Sequence, residues 1–94
     1  MVDETRLKRL RMRSWRRGIK EMDLILGGFA DEVLSDLGDD ALDRYEALLT
    51  ENDHDLYRWV TARIGGDVQD AGGPPVYAAL LDAIAVHAAG RLRA

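Results

Sequence analysis

The 94-residue chain has no cysteine, two prolines, two histidines and only 6% aromatic residues. Without cysteine there is no disulfide framework, thiol nucleophile, iron–sulfur cluster or thiolate zinc site, and a reducing compartment, the cytoplasm, fits such a chain. Nor is there an apolar run near the ~20 residues that span a bilayer, or the 7–15-residue apolar stretch of a secretory signal, so neither membrane insertion nor export is expected. An arginine-rich start resembles a mitochondrial presequence in part, but Asp3 and Glu4 break the acid-poor pattern, and the start reads as mature protein. The two histidines, His54 and His87, are far apart in sequence with no H-E-x-x-H spacing, so no metal site is expected. No nucleophile with a matched base and no phosphate-cradling glycine motif occurs, which disfavours an enzyme; no catalytic residue is assigned.

What is present is a balance of 47% hydrophobic and 32% charged residues, enough for one small core, hence a single domain. The net charge of −4 is unevenly distributed. Residues 1–20 hold eight basic side chains against Asp3 and Glu4, a net of +6, while the remainder hold five arginines and fifteen acids, a net of −10. Such polarity governs what each surface attracts.

Apolar residues recur at helical spacing, and no alternating window reaches strand length, so the fold class is all-α. A first helix is expected over 4–17, where Leu7, Leu10, Met12 and Trp15 spread around the wheel and leave the packing face poorly defined. A second runs over 18–37 with Met22, Leu26, Phe29, Val33 and Leu37 in a stripe. Gly27 and Gly28 lie inside it at a cost of about 2 kcal/mol relative to alanine, implying a kink or a close backbone approach. Gly38 is expected as a C-cap, Asp39 or Asp40 as the N-cap of a third helix ending near Glu51, and Asp53 as the cap of a fourth over 55–64. Gly, Asp and Pro make 65–74 a loop, Pro75 opens a fifth helix reaching Ala89, and 90–94 should fray.

The candidate site lies where the basic start meets the acidic remainder, at Arg16-Arg17-Gly18-Ile19-Lys20-Glu21-Met22-Asp23. On a helix Arg17 and Glu21 would share a face, with Gly18 leaving the main chain open to another protein. The plainer reading is an i,i+4 ion pair worth about 0.3–0.5 kcal/mol, with Gly18 breaking the chain between two helices.

Arg17-Gly18-x-x-Glu21, preceded by Arg16 and followed by Met22-Asp23-Leu24, resembles the RGxxE signature of the SdhE family, the assembly factors for the FAD-bearing subunit of succinate dehydrogenase. Downstream, Asp53-His54-Asp55-Leu56-Tyr57-Arg58-Trp59 is similar to the family's D-x-D-L-[FY]-x-W stretch, Arg58 standing where other members often carry a different polar residue. The resemblance covers about residues 13–64. It implies a compact five-helix bundle that binds the flavoprotein subunit of succinate dehydrogenase, with fumarate reductase as a further candidate partner, and promotes covalent attachment of FAD to a partner histidine. The FAD then belongs to the partner, none being stably bound here, and the chain acts as a monomer. Arg16, Arg17, Gly18, Glu21 and Asp23 are placed in the docking surface, with Asp55 and Tyr57 as contacts from the second motif, while Leu56 and Trp59 have core spacing.

Two other readings use the same helical surface. A nucleic-acid-binding module would contact phosphates through the basic first helix, against the repulsion of fifteen acids behind it. A structural or toxin–antitoxin-like interaction protein would need no flavin chemistry.

Overall fold

The apolar stripes wind into α-helices throughout the residues described by the computed structural model, 3–65 and 72–92. In order they are α1 (Glu4–Trp15), α2 (Lys20–Val33), α3 (Asp39–Leu48), α4 (Asp53–Ile64) and α5 (Ala78–Leu92), with 3₁₀ turns at Leu34–Asp36 and Pro75–Tyr77. Among the described residues there is no strand. α1 packs chiefly on α2 and α4 on α5, while α5 also meets α2 and joins the two pairs.

One apolar cluster forms the core. Leu10 of α1, Met22, Leu26 and Phe29 of α2, Tyr45 and Leu48 of α3, Leu56 and Val60 of α4, and Leu81 and Ile84 of α5 are all fully buried. Each such side chain contributes about 1.5–3 kcal/mol on leaving water.

The packing face of α1 becomes clear once Ser14 is added to Leu7 and Leu10, since these three are the buried residues of the helix. Ser14 Oγ donates to the Leu10 carbonyl (2.7 Å) and lies 2.6 Å from the Tyr45 hydroxyl. A polar residue thus completes the face because both of its hydrogen-bonding needs are met inside. Trp15 lies across α2 instead, its indole nitrogen donating to Asp31 (3.2 Å). A Cβ at Gly27 would fall 2.2 Å from the Trp15 ring, so this glycine serves a close approach.

Several boundaries differ from expectation. Residues 18–37 are not one helix: α2 starts at Lys20 because Gly18 has φ +100°, and its end tightens into a 3₁₀ turn before extended Leu37. Gly38 is not a C-cap but the extended N-cap position of α3, which places Asp39 and Asp40 inside the first turn, where carboxylates favour the positive helix end. Asn52, not Asp53, caps α4, its side chain accepting from the His54 (2.8 Å) and Asp55 (3.4 Å) amides. α4 therefore begins two residues early, and Asp53 is freed for another partner. α5 is preceded by the 3₁₀ turn at Pro75 and stays helical through Leu92 rather than fraying from Gly90. Most of the expected loop at 65–74, and the last two residues of the tail, lie outside the described residues.

Candidate interaction surface

Between α1 and α2 the chain makes a tight bend. Arg16 leaves the helix with φ −123° and ψ 53°, and Gly18 at φ +100° reverses direction in a region that side-chain-bearing residues rarely adopt. Ile19, at the N-cap of α2, offers no side-chain cap. Asp23, in the first turn of α2, instead closes the bend itself, its Oδ1 accepting from the Arg17 backbone N–H at 2.6 Å.

This bend aims the Arg17 side chain inward, leaving it 11% exposed. Its Nε donates to Asp53 Oδ1 (2.7 Å), Nη2 to the Glu51 carbonyl (2.9 Å) and Nη1 to the Leu49 carbonyl. The planar fork thereby ties together the end of α3 and the start of α4, neutralises Asp53 and satisfies two carbonyls of the connecting turn. Arg17 and Glu21 do not share a helical face or form the i,i+4 pair, because Gly18 breaks the helix between them.

With Arg17 turned in, the two motifs meet. Glu21 and Ile19 from the first line a shallow groove with His54 and Tyr57 from the second. Tyr57 is 40% exposed, Glu21 is exposed, and among the described residues nothing but its two chain neighbours lies within 4 Å of where a Gly18 Cβ would be. The open main chain at Gly18 therefore coexists with a backbone conformation that favours glycine.

The remaining candidates divide. Arg16 is exposed and lies on the α1 side of the bend. Asp23 stabilises the bend, and Asp55 pairs with Arg58 (3.1 Å) along α4 rather than lining the groove. Leu56 and Trp59 belong to the core. Sequence reasoning missed Asp53, taken as a cap, and Ile19 and His54 as groove residues; opposite charges in the two motifs were the available signal.

Arg17 also acts on the core behind it. Burial pushes the Tyr45 hydroxyl up to about 12, while the Ser14 hydrogen bond and the Arg17 charge pull the other way. Among the described residues, no cluster of three or more His, Asp or Glu side chains could hold a metal, and no helix is long and apolar enough to cross a membrane.

Residues 8–85 match the family Sdh5, described as flavinator of succinate dehydrogenase. Among curated proteins the chain is similar to the mitochondrial succinate dehydrogenase assembly factor 2 of Candida glabrata, 48% identical over 60 residues that cover 64% of this chain and 39% of that protein. Its counterpart in Meyerozyma guilliermondii is 48% identical over 58 residues, covering 62% and 43% respectively. That of Aspergillus terreus is 41% identical over 66 residues, covering 70% and 21%. The matched stretch thus spans about two fifths of the first two relatives. With the family match running from α1 into α5 and containing both motifs of the bend and groove, the chain belongs to the Sdh5 family of succinate dehydrogenase flavinators.

Proposed function

We propose that this protein is an assembly factor that binds the flavoprotein subunit of succinate dehydrogenase and promotes its covalent flavinylation. The observation that carries this reading is the joining of both motifs in one exposed surface: Gly18 with its open main chain, beside the groove of Ile19, Glu21, His54 and Tyr57. The similar fungal proteins are named as assembly factors of the same enzyme.

The factor is not itself the catalyst. It lends the partner binding energy, favouring the arrangement in which the partner's flavin and acceptor histidine are held together, and so shifts a conformational equilibrium by differential affinity. The FAD stays with the partner. Gly18, Glu21 and Tyr57 make contact, with Arg16 at the edge and Asp55 on the flank, while Arg17 and Asp23 hold the bend that presents them. The factor works as a monomer, serves the fumarate reductase flavoprotein by the same surface, and acts in the cytoplasm, a reducing compartment that suits a cysteine-free chain.

The test is in-gel fluorescence of the partner's covalent flavin in cells with and without the factor, and with Gly18→Ala and Gly18→Arg. Alanine introduces backbone strain alone, whereas arginine also blocks the approach, so loss with arginine and retention with alanine is expected. Full covalent FAD incorporation with Gly18→Arg would overturn the docking role. Fractionation, sedimentation and pull-down of the fumarate reductase subunit test the remaining assignments.

A further inference from the structure

We infer that the outer face of α1 is a second interaction surface, shaped for an acidic protein segment that carries an apolar side chain. Thr5, Lys8, Arg9, Met12, Arg13 and Arg16 line a groove there, at the spacing of one helical face. Their charges are unequally used. On this helix Arg6 meets Asp43 (2.7 Å) and Glu46 (3.0 Å), and Arg13 lies 3.8 Å from Glu46. Lys8, Arg9 and Arg16 are exposed and have no ion pair among the described residues. Between them Met12 is 44% exposed, and such a flexible thioether fills irregular apolar contacts well.

Charge complementarity selects the occupant. An unpaired basic stripe attracts an acidic surface and fixes its register, and the apolar floor at Met12 gives an aliphatic side chain a place to be buried. A polyanion of great extent fits poorly, because residues beyond the first 20 carry a net of −10. Nucleic acid and anionic membranes would meet that repulsion, whereas a short peptide segment stays within the roughly 18 Å of a 12-residue helix. The groove ends at Arg16 and Arg17, directly before Gly18 in the chain. The inference thus deepens the flavoprotein reading by naming the chemistry of a partner segment, and part of its test does not depend on that reading.

The probe is a fluorescein-labelled 12-residue peptide of alternating Glu and Leu pairs, titrated by anisotropy at 50 and 300 mM NaCl. Purified flavoprotein subunit is titrated in parallel. Lys8→Glu with Arg9→Glu should weaken both at least tenfold at 50 mM, with a smaller difference at 300 mM, where screening is stronger. Lys8→Gln with Arg9→Gln should give a smaller loss in the same direction, with far-UV circular dichroism unchanged. Arg44→Glu with Arg58→Glu alters net charge equally on other faces and should leave peptide affinity within about twofold.

Equal losses from the two charge-reversed proteins, or no loss from either, would overturn the inference. Tighter binding of a 12-bp DNA duplex or of phosphatidylglycerol vesicles than of the peptide would do the same. So would salt-sensitive self-association, seen by sedimentation and abolished by Lys8→Glu with Arg9→Glu. Peptide binding at α1 without flavoprotein binding would leave this inference standing and remove the function proposed above. The opposite pattern would remove only this inference.

Discussion

The Arg17 guanidinium reaches the Asp53 carboxylate, 36 residues away, with Nε 2.7 Å from Oδ1. The contact joins the bend before α2 to the first turn of α4, and through it the two sequence motifs. Arg17→Ala would leave Asp53 partly buried without its cation and the Leu49 and Glu51 carbonyls without their donors. We expect a loss of about 2–4 kcal/mol, near the range for breaking a buried ion pair. For a chain of this size that is a fall in melting temperature of roughly 10 °C or more. Lysine keeps the charge but cannot span three acceptors, so Arg17→Lys should lie between. A double-mutant cycle with Asp53→Asn should return a coupling of about 1–3 kcal/mol; coupling near zero would mean the two side chains do not depend on each other.

Tyr57 offers the complementary case. It is 40% exposed and lines the groove beside Glu21, so the fold loses little without its ring. Tyr57→Ala should change stability by less than about 1 kcal/mol. Partner affinity should nonetheless fall about tenfold or more, as for an aromatic contact at a binding hot spot. Melting curves and titration against the flavoprotein subunit measure the two effects separately. Equal affinity for the variant and the parent protein would take Tyr57 out of the docking surface.

Gly27 is where an added methyl meets a named obstacle. A Cβ there would lie 2.2 Å from Cδ2 of the Trp15 ring, so the indole must move and give up its bonds to Asp31. Overpacking costs about 1–3 kcal/mol, and the helix propensity gained from glycine to alanine returns about 1. Since Trp15 is already 37% exposed and can swing outward, a net loss of no more than about 1 kcal/mol is expected, in the lower half of that balance. Trp15 emission should shift to the red in a Trp59→Phe background. Trp15→Ala should convert Gly27→Ala from destabilising to stabilising, and the same sign in both backgrounds would show that the ring is not the obstacle.

Much of the architecture was legible because helical periodicity is local. Leu26 with Phe29, or Leu42 with Tyr45, mark a buried face without knowledge of what covers it. The errors arose where local rules are degenerate or where the deciding partner is remote. Asn52 and Asp53 are equally good caps by residue type, and only the demand of Arg17 for a carboxylate assigns the capping role to one and the ion pair to the other. Ser14 carries no local sign of burial, because the hydroxyl that satisfies it belongs to Tyr45 on another helix. The pair Gly27-Gly28 is consistent with either a kink or a close approach, and the ring that makes it a close approach at Gly27 belongs to Trp15, on the neighbouring helix. At the site, the two motifs were found by their residues, while the inward turn of Arg17 follows from the positive φ of Gly18.

The buried Tyr45 hydroxyl links that core to pH. Its ring stacks on Phe29 with centroids 5.8 Å apart, and burial pushes its ionisation up to about 12, against the smaller downward pulls of Ser14 and Arg17. An unfolded tyrosine ionises near pH ~10. Between about pH 10 and 12 the folded protein therefore holds a proton that the unfolded chain has released, so this contribution is complete below pH ~10 and is lost as pH rises towards ~12. Its size is on the order of 2 kcal/mol. Tyr77, raised first by burial and then by Glu51, acts in the same direction. Tyr45→Phe should cost about 1 kcal/mol at neutral pH, when Ser14 still donates to the Leu10 carbonyl. The variant should also lose most of the alkaline decline, so that urea-unfolding free energies of variant and parent converge by about pH 11. Parallel decline of the two proteins across that range would place the titrating group elsewhere.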